Sequence, residues 1–440
     1  MKSLLKTITV FLLCIITTFS TACAFIDGFF NNTQETEQPE EQTKIELSIQ
    51  NGVLNLSTEN SYEKFQVYAG EDLLLETTES SIDVARKIID TYSIGAFGEW
   101  ELFVTGINGS ESDDSDKITF AIKELTTENF CTVLSGDYQE TDYFLLAEDI
   151  FIYGQGPYNK KLPPEGYKKT TFDGEGRKVD TNSLFFIYKT FTATLDGNGH
   201  RLYALVDEHI SWVGLPFVFG AVFAEVSQNA EIKNLHAYLD FRYEARARHT
   251  ASAGFIFKMN GRLTDCFIDQ ISRPFERVKD TGNSVTDYDD ADEQIDKIDN
   301  RVAIISHAED GARFNGVVFS LKVLNLEEQP IKGGGAILYT KENVSIKNCV
   351  LINDNSEQTF INNQDGTANA NSSTPKTAEN IYLYNTVVDM VENNGFKILG
   401  SLTRNPLTQE FTSSILEVLG DKWEIIDDEL YFLEKPIELF

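Results

Sequence analysis

Histidine, cysteine and positive charge are all scarce in this chain, and each scarcity excludes something. Five histidines are spread over 440 residues. They form no HExxH and no paired spacing, so no transition-metal site is expected. Five cysteines occur: Cys14, Cys23, Cys131, Cys266 and Cys349. Cys14 and Cys23 belong to the N-terminal segment. The rest are odd in number and widely spaced, which excludes a disulfide framework and a CxxC zinc pattern. Lysine and arginine together number 37 against 69 aspartates and glutamates, a formal net charge of −32. Such a chain repels nucleic-acid phosphates and anionic lipid headgroups, so no nucleic-acid partner is expected. After Cys23 no segment is long and apolar enough to span a bilayer. The acidic run 278–300 has oxygen ligands that suit calcium, with Asp287, Asp289, Asp290, Asp292, Glu293 and Asp296. It lacks the spacing and central glycine of an EF-hand loop and reads as a solvated loop. No metal, cofactor or catalytic constellation is expected.

What is present is enough apolar material for a large core. Hydrophobic residues make up 41% and aromatics 12%, over a length that fits about two or three domains. The first residues, MKSLLKTITVFLLCIITTFSTAC, place Lys2 and Lys6 ahead of an apolar run from Ile8 to Phe19. That run suits a signal peptide and is too short for a comfortable membrane span. Ser20, Thr21 and Ala22 then precede Cys23. The segment resembles a bacterial lipoprotein signal, with Ser20 where leucine is usual. The resemblance implies that residues 1–22 are removed and that Cys23 is acylated. The chain would then be exported and lipid-anchored to the outer face of a bacterial membrane, at the cell surface. The alternative is an ordinary signal peptide cut after Ala22. NNTQETEQPEEQTK (31–44) holds no large apolar side chain, so 23–44 reads as a disordered acidic tether.

Residues 45–124 alternate short apolar runs with polar clusters. The runs are IELSI (45–49), VLNL (53–56), FQVYAG (65–70), EWELFV (99–104) and KITFAI (117–122). Alternation at Leu54/Leu56, Phe65/Val67 and Trp100/Leu102/Val104 predicts half-buried strands, and several short strands predict a β-sandwich. This span resembles a fibronectin type III or related immunoglobulin-like module, with Leu54 or Leu56 where that family carries an early tryptophan.

From about residue 140 an internal repeat takes over. IKNLHAYL (232–239), LTDCFIDQ (263–270), FNGVVFSL (314–321), IKNCVLIN (346–353) and LYNTVVDM (383–390) align without gaps. The first position is apolar: Ile232, Leu263, Phe314, Ile346 and Leu383. The third is Asn234, Asp265, Gly316, Asn348 or Asn385, residues that tolerate unusual dihedrals at a bend. One such unit cannot bury its apolar face alone, so units must stack with their first-position residues in one inward column. Glycine–apolar strands precede three of them, at FVFGAVF (217–223), AGFIFKMNG (253–261) and GGGAILY (333–339). These residues resemble the right-handed parallel β-helix of bacterial surface proteins, of the GLUG-repeat type. YFLLAEDIFIYG (143–154) and FTATLDGNGHRLYAL (191–205) resemble its opening and 405–435 its C-terminal cap. The expected fold is therefore all-β: a sandwich over 45–124, then a parallel β-helix with inserted loops and a small cap over 140–440. The resemblance implies a cell-surface or adhesion-like role.

Candidate site residues are few. Cys266 and Cys349 occupy equivalent repeat positions and read as small buried hydrophobes. Asp196, Asn198 and His200 read as a turn in which Gly197 and Gly199 supply positive φ. In FRYEARARH (241–249), Arg242, Glu244, Arg246 and Arg248 share one face if the stretch is extended. GPYNKKLPPEGYKK (156–169) adds Lys160, Lys161, Lys168 and Lys169 beside Tyr158 and Tyr167. Arginine forks and aromatic rings suit uronates or sulfated sugars, so Arg242, Arg246, Arg248, Tyr158 and Tyr167 are the candidate ligand-binding residues. The bland alternative is a solvated face balanced by nearby carboxylates. Non-catalytic adhesion or contact with extracellular or host glycans or surface proteins fits best. The alternatives are a β-helix polysaccharide lyase or glycoside hydrolase, and a structural envelope component. The lateral face of the coil discriminates among them.

Overall fold

The computed structural model describes residues 45–155, 163–171, 183–209, 219–244, 251–275, 301–324, 335–353, 359–361, 377–384, 398–402, 416–417, 419, 423–426 and 429–432. The protein is all-β, with large, mostly parallel sheets and, among the described residues, a few short helical segments. Cys23 and the tether lie outside the described residues.

The first strands are antiparallel. They are β1 (Ile45–Gln50), β2 (Val53–Thr58), β3 (Lys64–Ala69), β4 (Asp72–Thr77), β5 (Ser81–Asp83), β6 (Gly98–Asn108), β7 (Glu111–Asp114) and β8 (Ile118–Leu125). One sheet runs β1-β2-β5. A second joins β4, β3, β6 and β8, with β7 hairpinned onto β6. Their alternating inward residues, among them Ile45, Leu54, Val67, Leu102, Val104 and Phe120, form one buried cluster. A helix that the strand pattern does not foreshadow, α1 (Val84–Tyr92), follows β5. The Asp83 side chain caps it by accepting the Arg86 N–H at 2.9 Å, and Val84, Ala85, Ile88 and Ile89 are its buried face. α2 (Phe130–Leu134) buries Phe130 and Leu134.

The sheet does not stop where the repeat begins. β8 is antiparallel to β6 on one edge and parallel to β9 (Tyr143–Leu146) on the other, with Ile122 opposite Tyr143. The chain then runs through β10 (Ile150–Gln155), β11 (Lys168–Thr171), β12 (Ser183–Ile187), β13 (Thr194–Asp196), β14 (Arg201–His209), β15 (Phe219–Val226), β16 (Glu231–Lys233) and β17 (His236–Glu244). It continues with β18 (Ala251–Met259), β19 (Arg262–Thr264), β20 (Phe267–Phe275), β21 (Arg301–Ala308), β22 (Arg313–Asn315), β23 (Val318–Val323) and β24 (Gly335–Thr340). β25 (Ser345–Asn353), β26 (Thr359–Ile361), β27 (Thr377–Tyr384), β28 (Ile398–Leu402), β29 (Trp423–Ile426) and β30 (Glu429–Phe432) complete the order. Strands mostly three apart in the order pair in parallel, which makes three files. A short-strand file is β9-β13-β16-β19-β22-β25, and a long-strand file is β10-β14-β17-β20-β23-β25. The third file is β12-β15-β18-β21-β24-β26.

Along the short-strand file, Phe144, Leu195, Ile232, Leu263, Phe314 and Ile346 stand directly opposite one another and are buried. The expected column is therefore present for the first repeat members, but its last member needs correction. Ile346 stands opposite Ala378, whereas Leu383 stands opposite Leu351. The repeat unit is AENIYLYN (378–385), not LYNTVVDM, so the third-position residue is Asn380 rather than Asn385. The apolar–x–Asn signature occurs twice within eight residues there, and strand register decides between them.

Third-position residues do bend the chain. Asn234, Asp265, Gly316 and Asn348 have φ of 52°, 49°, 66° and 51°. In the first three, the left-handed backbone turns the N–H toward the next strand. Asn234 donates to the Thr264 carbonyl at 3.2 Å, Asp265 to Asn315 at 2.9 Å and Gly316 to Lys347 at 3.2 Å. The DGNG turn differs from expectation. Asn198 (φ 50°) and Gly199 (φ 75°) are left-handed and Gly197 is not. Gly197 is required by crowding instead: a Cβ there would lie 2.2 Å from the Asn234 carbonyl oxygen.

Candidate functional site

The residues that point away from the core on the long-strand file line up in rows across the strands. Leu202, Ala204, Leu239 and Ile268 alternate inward and are buried, so the residues between them face out. Register places Phe151, Tyr203 and Tyr238 in one row across β10, β14 and β17. Their rings stack nearly parallel, at 4.7 Å and 3° for Phe151–Tyr203 and 5.1 Å and 7° for Tyr203–Tyr238. These separations match the strand spacing, which is why one aromatic per rung suffices to build the stack. Tyr167, held beside β10 by β11, meets the edge of Phe151 at 5.3 Å.

The neighbouring row holds Arg201, His236, Phe267, Val318 and Val350. The Arg201 guanidinium lies 3.4 Å from the Tyr203 hydroxyl and 5.9 Å from the Tyr238 ring centre. The hydrogen bond to Tyr203 leads the influences that raise its pKa. His236 is packed 4.1 Å from Tyr238 and 4.4 Å from Phe267. Burial, reinforced by the Arg201 charge, pushes its pKa down to about 3, so the ring is neutral at ordinary pH. Trp423, from the hairpin of β29 and β30, reaches Phe267 at 6.3 Å. Phe267 stands opposite His236, so this contact lies in the row beside the stack. Burial increases along the row: Arg201, His236 and Phe267 are half-buried, Val318 and Val350 fully buried.

At the rim, Asp149 accepts the Arg201 backbone N–H at 2.9 Å and lies 3.5 Å from His200 Nδ1. Burial is the largest single influence on its carboxyl and pushes it up. The hydrogen bonds from His200 and Arg201, with their charges, outweigh that and leave it below the usual range. Burial raises the Tyr167 pKa, helped by Tyr203 and Asp240.

Of the candidate ligand-binding residues, only Tyr167 is placed on this surface. Arg242 pairs through its backbone with Arg273. Tyr158, Arg246 and Arg248 lie outside the described residues, as do Lys160, Lys161 and the acidic loop 278–300. Lys168 pairs with exposed Glu128, which agrees with the bland alternative at that position. His200 and Asp196 are engaged separately. Buried Asp196 accepts hydrogen bonds from Tyr143 Oη, from the Asn198 N–H at 2.9 Å and from Asn234 Nδ2 at 3.1 Å. Burial, then the Asp196 charge, pushes the Tyr143 hydroxyl well above its usual pKa. The cluster braces the first bends. Cys266 and Cys349 lie in one buried row with Val317 between them. Burial raises both thiols, Cys349 to about 12, so neither is a poised nucleophile. Among the described residues no group of His, Cys, Asp and Glu gathers as a metal site.

The Phe151–Tyr203–Tyr238 row was not singled out from sequence. The available signal was the seventh repeat position, which is outward and holds Tyr238, Asp269 and Ser320 in turn. Comparison with protein-family models, curated proteins and solved structures returns no match.

Proposed function

We propose that this chain is a lipid-anchored bacterial cell-surface protein that contacts extracellular glycans without catalysing their cleavage. In this reading the antiparallel region is an immunoglobulin-like sandwich. The three parallel files are the faces of a right-handed β-helix of GLUG-repeat type, and Cys23 carries the lipid. The observation that carries the functional part is the half-buried Phe151–Tyr203–Tyr238 row with Arg201 at its side. It combines rings, hydroxyls and a guanidinium, the chemistry that carbohydrate contact uses. A glycan array probed with the full chain in detergent tests it. Binding without cleavage of the bound glycan is the expected result, and cleavage would convert the reading to a lyase or hydrolase. For the anchor, a metabolic lipid analogue should label the wild type and miss Cys23→Ser.

One observation favours a second reading, a structural envelope component. Val318 and Val350, in the same row as Arg201, are fully covered, so part of this flank serves packing.

A further inference from the structure

We infer that Arg262 and Arg313, on the outer side of the short-strand file, form a site for the carboxylate or sulfate groups of an acidic glycan. The site lies on other strands than the Phe151–Tyr203–Tyr238 row and does not depend on it.

Strand register builds the site. Leu263 and Phe314 point inward and are buried, so the residues on either side of them face out. Parallel pairing sets Glu231, Arg262, Arg313 and Ser345 in one outward row, and Lys233, Thr264, Asn315 and Lys347 in the other. Four of these eight residues are basic and one is acidic, on a chain with 37 basic and 69 acidic residues. Arg262 is half-buried and Arg313 exposed. They stand directly opposite one another on neighbouring strands, so their side chains start roughly 5 Å apart.

The carboxylates nearby have other partners. Glu231, beside Arg262, accepts the Thr264 hydroxyl at 2.7 Å. Asp265, at the bend, turns Oδ1 toward Gly316, where an added Cβ would lie 2.3 Å from it. In the turn before Arg313, Asp310 accepts the Asn343 N–H at 3.1 Å, and Glu309 acts on Lys258 and His307 of the third file. Glu342, in the turn before Ser345, is also engaged. Lys233 leans over the Tyr143 ring at 5.1 Å. Among the described residues neither Arg262 nor Arg313 forms a salt bridge.

Like charges opposite one another on neighbouring strands are destabilising, and no salt bridge offsets this pair. Local conflicts of that kind gather at functional positions. An oxyanion between the two guanidiniums removes the repulsion and receives forked hydrogen bonds. The rest of the chain, at net −32, repels an anion and directs it to this pair. Sugar hydroxyls have partners beside it. Ser345 follows Arg313 in the row, and the exposed Asn315, whose Oδ1 accepts from Asn348 at 2.9 Å, keeps its amide nitrogen as a donor.

The test titrates full-length protein in detergent with tetrasaccharides of polygalacturonate and of heparin, a neutral tetrasaccharide, and inorganic sulfate and phosphate. The inference expects at least one acidic chain to bind and to weaken as salt rises. Arg262→Gln/Arg313→Gln should weaken it about tenfold or more. Its melting temperature should hold or rise, because a like-charged pair has been removed. Arg262→Lys/Arg313→Lys keeps the charge, loses the forks and should fall between the two. Acidic binding unchanged in the glutamine variant would overturn the site. A marked fall in its melting temperature would make both arginines part of the scaffold and overturn it equally. Sulfate or phosphate bound as tightly as the acidic chains would overturn the glycan assignment. Failure of both acidic chains to bind would overturn the whole inference. The neutral chain reports on the aromatic row, whose reading survives each of these failures.

Discussion

Two files of residues run through successive strands, one along the short-strand file and one along the long-strand file, and they obey different rules. The inward file Phe144–Leu195–Ile232–Leu263–Phe314–Ile346 is apolar throughout and buried. The outward file begins Phe151–Tyr203–Tyr238 and then changes to Asp269 and Ser320. Stacking demands an apolar group at every inward position, because each rung covers the one beneath it. No such demand acts outward, so the aromatic run there needs a local cause. Half-exposed tyrosines beside an arginine supply one that packing alone does not.

The largest test breaks the inward file. Ile346→Asp places a carboxylate where no partner can reach it, at a cost of several kcal/mol. The parallel region should lose its cooperative unfolding transition, as followed by circular dichroism in denaturant. A folded, cooperative variant would show that inward stacking does not hold this region together.

The next effect lies where the two files meet solvent differently. His236 sits in an outward row yet has its pKa lowered from 6.5 to about 3 by burial. The sign follows from linkage. Below about pH 6.5 the unfolded chain takes a proton that the folded chain excludes until about pH 3. Stability from this group is therefore full above that window and falls as pH drops through it, by about 1.4 kcal/mol per pH unit. His236→Phe should flatten that part of the pH profile relative to the wild type. Equal slopes would mean that the ring is solvated and the outward row open at this point.

The bends give a smaller and sharper contrast. Gly197→Ala should cost about 2 kcal/mol or more, because the added methyl meets the Asn234 carbonyl of the next rung. Gly109→Ala, left-handed at φ 62° but with open space around it, should cost only the backbone preference, about 1–2 kcal/mol. Equal losses in urea titrations would show that the first bend relaxes freely.

These tests also mark how far the sequence could be read. The inward file was legible because an apolar residue followed by Asn, Asp or Gly at fixed spacing has one physical meaning at every rung. It failed at Leu383, where two in-phase candidates occur and only pairing with β25 selects Ala378. The helix α1 was masked because its apolar residues, Val84, Ala85, Ile88 and Ile89, fall in a short span set among strands. The candidate surface was harder still. Basic clusters drew attention to Arg246 and Arg248. The row at Phe151, Tyr203 and Tyr238 is made by pairing strands far apart in sequence, and no local window contains it. Tyr167 was found for its neighbours in the loop, yet it joins the surface through Phe151.

The smallest expected effect decides whether the outward row is free of structural duty. Tyr203→Phe keeps the stack on Phe151 and Tyr238 and removes a hydroxyl whose contact with Arg201, at 3.4 Å, is too long to be strong. Its cost should stay within about 0.5 kcal/mol. Tyr143→Phe removes a hydroxyl of the same kind from the buried bend, where Asp196 accepts it. That leaves a buried carboxylate short of a donor and should cost about 1–3 kcal/mol. The two substitutions are chemically identical, so their difference isolates environment. A wide gap in melting temperature sustains the contrast between a buried bend that holds the fold and an outward row that faces a ligand. Equal losses would make Tyr203 part of the scaffold and move the contact face elsewhere.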